Sequence, residues 1–174
     1  MADFSKFDSS VITDFTPYVT DIPNFPIPGV TFKDIQPLLA DPKAFRQAIF
    51  EMFVKFETYM DYWVGIDSRG FIFASALSQY SNKGLKLIRK KDKLPPPVES
   101  KTYDLEYGND TIQMQPGKGK VIIVDDVYAT GGTMDAAEEL CKQAGYEVLG
   151  KLVFIDLAFL HGSTDVRSVI KYDS

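Results

Sequence analysis

One cysteine and one histidine in 174 residues deny this chain several kinds of chemistry. A lone Cys141 forms no internal disulfide, and with His161 as the only imidazole there are too few soft ligands for a zinc site and no ground for nucleophilic Cys-His catalysis. Both residues are assigned to packing and surface. No stretch approaches the ~18 apolar residues of a membrane span. The opening MADFSKFDSS has no basic flank leading into an apolar run, so a cytoplasmic protein without membrane contact is expected. Positive charge is scarce too: 19 Lys and Arg stand against 24 Asp and Glu, a net charge of -5. That balance excludes a generic nucleic-acid binder, which needs a basic face, but leaves room for a small anionic substrate held by a few local cations. No internal repeat is visible. Chemistry must come from carboxylates, cations, backbone amides and Mg²⁺.

What is present suits one domain over residues 1–174, with roughly two thirds of its unfolded surface buried. Strand and helix signals alternate along it. Phe45, Ile49, Met52, Phe53, Phe56 and Met60 recur at helical spacing behind Asp41 as N-cap and Pro42 at the first position, predicting a helix over 42–60. YWVGI (62–66) reads as a buried strand, FIFASALSQY (71–80) as a packed helix and LKLI (85–88) as the next strand, a parallel unit. KTYDLEYGNDTIQMQ (101–115) has two extended arms around Gly108, Asn109 and Asp110, a hairpin signature. VIIV (121–124) reads as a fully buried strand. Ala136, Ala137, Leu140, Cys141 and Ala144 then form one helical stripe, stopped by Gly145 before a strand near Val148 to Ile155. The fold class expected is α/β, a central mainly parallel sheet flanked by helices.

The stretch VIIVDDVYATGGTM (121–134) joins the carboxyl end of a central strand to a helix N-terminus. Open α/β sheets bind ligands in that crevice. Free backbone N–H groups and the helix dipole favour an anion there, Gly131 and Gly132 allow close approach, and Thr130 and Thr133 add hydroxyl donors. The loop lacks the Gly-Lys-Ser/Thr ending of a nucleotide P-loop and the spaced glycines of a dinucleotide fold. Asp125 and Asp126 would repel a phosphate, so they need another partner. Vicinal ribose hydroxyls supply one, leaving Ala129 to Thr133 for a 5-phosphate. The plainer alternative is an acidic turn that caps a helix.

At this point the residues carry a resemblance. VIIVDDVYATGGT resembles the 5-phosphoribosyl-1-pyrophosphate (PRPP) signature of type I phosphoribosyltransferases. NFPIPGVTFKDIQPLL (24–39), GIDSRGFIF (65–73), LIRKKDKLP (87–95) and YDLEYG (103–108) resemble the adenine-specific family in the order that family has them. Tyr128 departs from the aliphatic residue common in the signature loop, and Lys33 stands where an arginine is frequent. The resemblance implies a type I phosphoribosyltransferase fold with a small base-binding hood, to which residues of about 1–40 contribute. It also implies a homodimer and the Mg²⁺-dependent reaction of adenine with PRPP to AMP and pyrophosphate, in purine salvage. No resident protein-bound metal is implied, since the ion is held mainly through substrate oxygens and water.

The resemblance makes DSRG, Asp67, Ser68, Arg69 and Gly70, the pyrophosphate loop, with a cis Asp67–Ser68 peptide. The simpler view has Arg69 as a surface cation and Asp67 as a helix cap. In IRKKDK (88–93), Arg89 and Lys93 are candidates for pyrophosphate contacts in the same or a neighbouring subunit, while Lys90 and Lys91 read as solvated. By resemblance Phe32 forms the adenine pocket, with the main chain of Thr31 and Lys33 reading the base edge. LEYG places Glu106 and Tyr107 on a closing hood, where Glu106 would manage the proton on the imidazole edge of adenine. An exposed hairpin carboxylate is the alternative. Catalysis falls to Glu106, Asp125, Asp126 and Arg69, acting by charge stabilisation and exclusion of water. Two rivals remain: a transferase for hypoxanthine, guanine or orotate, and a non-catalytic regulator on the same fold.

Overall fold

The computed structural model describes residues 11–56, 58–104 and 108–174, and the chain falls into two units, Met1–Ala48 and Ile49–Ser174. In the first, β1 (Thr20–Pro23) and β2 (Thr31–Asp34) pair antiparallel, with Asp21 opposite Lys33. Their connection takes left-handed backbone at Asn24 and Gly29 and a cis Phe25–Pro26 bond. Gly29 N–H donates to Asn24 Oδ1 at 3.0 Å and closes it. After α1 (Gln36–Ala40), Asp41 Oδ1 accepts from the N–H groups of Lys43 and Ala44, both at 2.9 Å. This is the expected N-cap of α2 (Pro42–Phe53).

The helix predicted over 42–60 stops at Phe53. Its later apolar residues are buried for a different reason. Phe56 lies over Gly150, where a Cβ would come 2.3 Å from its ring. The Arg167 guanidinium also packs on that ring, 4.2 Å from its centroid, and donates to the Lys55 carbonyl just past the helix end. A cation on those terminal carbonyls is favourable.

In the second unit, β3 (Tyr62–Ile66), α3 (Gly70–Ser81) and β4 (Gly84–Lys90) form the first parallel crossover. The hairpin β5 (Glu99–Asp104) and β6 (Asn109–Met114) follows, then β7 (Gly119–Tyr128), α4 (Gly132–Gln143) and β8 (Tyr146–Leu157) form the second crossover, and β9 (Arg167–Tyr172) ends the chain. The seven strands run in the order β5-β6-β4-β3-β7-β8-β9. Pairings from β4 to β9 are parallel, and the β5–β6 hairpin joins β4 antiparallel. The mainly parallel sheet with flanking helices is therefore as expected, although β9 was not foreseen.

Val121 and Ile123 pack into a core with Met134, Ala137, Leu140 and Cys141 of α4. Ile122 and Val124, equally buried, point to the opposite face by strand alternation. On that unit's other layer the rings of Phe73 and Phe154 stack at 5.5 Å. Two covered faces explain why VIIV is unbroken by polar residues. The chain leaves β3 for β4 on one side and β7 for β8 on the other, which makes the carboxyl ends of β3 and β7 the switch point of the sheet. Among the described residues no helix is long and apolar enough to cross a membrane.

Candidate active site

Register brings the two anion loops together. β3 and β7 pair with Gly65 opposite Val124, so the residues just beyond, Asp67 to Gly70 and Asp125 to Thr133, emerge side by side. Contact is close enough to need glycine: a Cβ on Gly70 would lie 2.7 Å from the Val124 carbonyl oxygen and 3.0 Å from Asp125 Oδ1. The Asp67–Ser68 peptide in this turn is cis, as the resemblance implies.

Arg69 Nη2 lies 2.7 Å from Asp126 Oδ2 and ties the two loops together. The contact is one of charge rather than of aligned hydrogen bonding, since that buried oxygen has no hydrogen-bond partner. Asp126 N–H donates to Asp125 Oδ1 at 2.9 Å. Burial, and next the Asp126 charge, push the Asp125 carboxyl well above the usual carboxylate range, against the pull of Arg69. Burial also raises Asp126, opposed first by the same guanidinium. Two adjacent carboxylates thus sit where their own charge is poorly solvated. Such a pair accepts from vicinal hydroxyls and gains from any positive charge that develops in front of it.

Beyond the pair, Tyr128 ends β7 and Ala129 to Gly131 lead into α4. Gly131 is the left-handed N-cap, φ 97°. The loop and the first turn of α4 line a cavity of about 100 Å³, bounded by Asp125, Val127 to Thr133 and Met134. Helix N–H groups without intrahelical partners and the hydroxyls of Thr130 and Thr133 suit an anion there. Thr133 Oγ1 also lies 3.4 Å from Tyr103 Oη of β5.

Of the predicted cations, Arg89 Nε donates to Asp67 Oδ2 at 3.0 Å and so stands at the DSRG loop. Lys90 instead pairs with Asp110 at 3.3 Å. Lys93 is exposed beyond the turn at Asp92, whose N–H donates to Gln113 Oε1. Among the described residues no ion pair joins Lys93 to either loop.

In the first unit, Thr31 is exposed, Phe32 is half-buried and edge-on to Phe25 at 5.2 Å, and Lys33 is buried with Nζ on both Asp21 oxygens at 2.7 and 2.9 Å. The Lys33 ammonium is thus engaged within the hairpin. Glu106 and Tyr107 lie outside the described residues.

His161 is not the surface residue expected: its ring is nearly covered. It packs edge to face on Tyr128 at 4.7 Å, with Nε2 2.7 Å from buried Asp156 Oδ1. The sequence signal was Tyr128 itself, an unusual large ring in a phosphate-type loop. Its partner, thirty-odd residues away, is brought close by the pairing of Tyr128 with Asp156 across β7 and β8.

The phosphoribosyl transferase domain family matches residues 34–167. An adenine phosphoribosyltransferase from a Synechococcus species is 51% identical over 149 residues, 81% of this chain and 84% of that relative. The solved adenine phosphoribosyltransferase from Rhodothermus marinus is similar at a TM-score of 0.81 with 39% identity, covering 90% of this chain and 95% of its own. That from Saccharomyces cerevisiae, complexed with adenine and an imino-altritol bisphosphate, gives 0.81 with 34% identity over 88% and 94%. Fold, loop geometry and similarity over most of both chains agree, and the chain belongs to the phosphoribosyltransferase family, among its adenine phosphoribosyltransferases.

Proposed function

We propose that this protein transfers the 5-phosphoribosyl group of PRPP to adenine, giving AMP and pyrophosphate in purine salvage, and that residues 1–174 act as one phosphoribosyltransferase domain. The observation that carries this reading is the acidic pair of half-buried Asp125 and buried Asp126, which stands beside an anion cavity and is tied to the DSRG loop by Arg69. A plain phosphate site has no use for two carboxylates; a phosphorylated sugar does.

In this reading Ala129, Thr130, Gly131, Gly132 and Thr133 hold the 5-phosphate, Asp125 and Asp126 accept from the ribose hydroxyls, and Asp67 to Gly70 with Arg89 and Lys93 receive the pyrophosphate. Departure of pyrophosphate leaves positive charge on the ribosyl ring, and the carboxylates stabilise it without reorganising. Burial, and for Asp125 next the charge of its neighbour, raises their affinity for protons in the free site, and positive charge in front of them opposes that. Arg69 takes up negative charge on the leaving group while holding Asp126 in place. Thr31, Phe32 and Lys33 bind adenine: the ring of Phe32 stacks and the backbone reads the base edge. Glu106 takes the proton from the imidazole edge as N9 attacks, and the hood with Tyr107 excludes water.

The donor set fits Mg²⁺. One or two carboxylates beside substrate oxygens and water are the usual Mg²⁺ environment. Asp125 and Asp126 would be its nearest protein groups, and when bound the ion supplies neutralisation of pyrophosphate charge. A homodimer in the cytoplasm completes the proposal, on the strength of the family resemblance and the absence of a membrane-crossing helix among the described residues.

Incubation of the protein with PRPP, Mg²⁺ and each of adenine, hypoxanthine, guanine and orotate, with the nucleotide product identified by mass, tests it. AMP formed with adenine, together with equimolar pyrophosphate, is the expected result. Product formed only with another base overturns the assignment.

A further inference from the structure

Behind the cavity stands a set of side chains that the reaction above leaves unused. Asp156, 4% exposed, leaves β8 one strand from the loop. Its Oδ1 lies 2.7 Å from His161 Nε2, and His161 Nδ1 lies 2.7 Å from the Gly162 carbonyl oxygen. The carboxylate and the carbonyl oxygen thus lie against the two ring nitrogens from different sides and fix the plane of the imidazole. Against that ring Tyr128 packs edge to face, 79° between planes. The phenolic end of Tyr128 in turn abuts Gly131: a Cβ there would lie 2.6 Å from Tyr128 Oη. Gly131 is the left-handed residue that turns the chain into α4 and sets the direction of the N–H groups at the cavity.

We propose that Asp156, His161 and Tyr128 form a positioning relay that holds the phosphate loop at Gly131 in its binding conformation. Asp156 orients His161, His161 holds the Tyr128 ring, and Tyr128 fixes the path of Gly131. None of the first two touches substrate; they act on PRPP affinity through Tyr128. This rests on the assignment of Ala129 to Thr133 to the 5-phosphate.

Steady-state AMP formation by the full chain, with PRPP and adenine varied in turn, tests the relay. His161→Ala and Asp156→Asn should each raise KM for PRPP about tenfold, the order seen when a group that orients a ligand-binding residue is lost. The KM for adenine and kcat should stay within about twofold of the unaltered protein, because the loop's contact to phosphate is made equally before and during reaction. Tyr128→Leu should raise the same constant, and His161→Ala combined with Tyr128→Leu should cost no more than the larger single change, since one relay is broken twice. Melting curves run beside the kinetics. A lowered Tm with unchanged KM for PRPP in His161→Ala means that these contacts only stabilise the fold, and overturns the proposal; so does a double variant whose two effects multiply. If His161→Ala fails to fold, His161→Gln carries the same expected rise. Thr130→Ala separates the two levels of inference. A raised KM for PRPP there with none in the His161 variants defeats the relay alone, whereas no change in either defeats the phosphate-loop assignment itself.

Discussion

Asp125 carries its charge where burial and a neighbouring carboxylate disfavour it. A carboxyl whose folded pKa lies above its unfolded value of about 3.9 binds its proton more tightly in the folded chain. Its contribution to stability therefore falls as pH rises from that value through the raised folded pKa, and at neutral pH it is a cost. Asp125→Asn keeps the oxygen that accepts from Asp126 N–H and removes this cost. The substituted protein should melt higher at pH 7, by about 2–4 °C per kcal/mol recovered, and turn over roughly 10²-fold more slowly for want of one preorganised charge. Calorimetry and initial rates on the same preparation check both halves. A variant with unchanged kinetics would remove Asp125 from the ribose role. For base choice, Lys33 has its ammonium committed to Asp21, so Lys33→Ala should leave the preference for adenine over hypoxanthine within about tenfold. Phe32→Ala should weaken adenine by about 1–3 kcal/mol, the worth of one base-aromatic stack. Kinetics with both bases decide it, and a collapse of preference in Lys33→Ala would mean that the side chain reads the base. At this scale the acidic pair and the loop glycines were legible, because their chemistry is local in sequence. The commitments of Lys33 to Asp21 and of His161 to Asp156 were not, since each partner is fixed only by strand register and turn geometry.

Elements place these residues through approach distances that tolerate little change. Gly70 lets the DSRG turn lie against the end of β7, and a methyl group there would meet the Val124 carbonyl oxygen at 2.7 Å. Gly70→Ala should fold yet lose about 10² in turnover, because a shift of order 1 Å between reacting groups commonly has that effect. Unaltered turnover would show that the two loops need not touch. Away from the site, Lys151 of β8 is buried among Glu138 of α4 and Asp165, at 2.9 and 2.8 Å. Burial opposes its charge, but hydrogen bonds with Asp165 and Glu138 outweigh that and hold its pKa above the ordinary lysine value. Hydrogen bonds with lysines depress both carboxyls: Glu138 chiefly through Lys142 and then Lys151, Asp165 chiefly through Lys151. Depressed carboxyls stabilise the fold above their unfolded pKa values of about 4, and that stability is lost as pH falls through the folded values. Lys151→Met should lower stability at pH 7 by about 1 kcal/mol, since Asp165 is largely solvated and Glu138 keeps its pair with Lys142. It should also flatten the acid limb of the stability curve below about pH 4, which urea titrations at several pH values would reveal. The crossovers, the hairpin and the N-cap of α2 were readable from period and punctuation. The end of α2 was not, because Phe56 keeps helical spacing while its burial comes from Gly150 and Arg167. Nor was β9, whose half-exposed Arg167–Tyr172 shows no clean alternation.

For the whole molecule, a sheet switch point carries two adjoining anion loops, and the family is that of the adenine phosphoribosyltransferases. The base accepted is what most sharply separates this transfer from its relatives' reactions. Adenine offers an amino donor at position 6 beside an acceptor at N1, and hypoxanthine reverses both, so a peptide N–H and carbonyl chosen for one mismatch the other twice. Leaving buried polar groups unpaired is costly enough for discrimination of roughly 10⁴-fold. The direct test is a competition: PRPP and Mg²⁺ with equimolar adenine and hypoxanthine, and the ratio of AMP to IMP measured at early times. AMP is expected in excess by about four orders of magnitude; comparable amounts of the two nucleotides, or an excess of IMP, would rule out adenine as the preferred base.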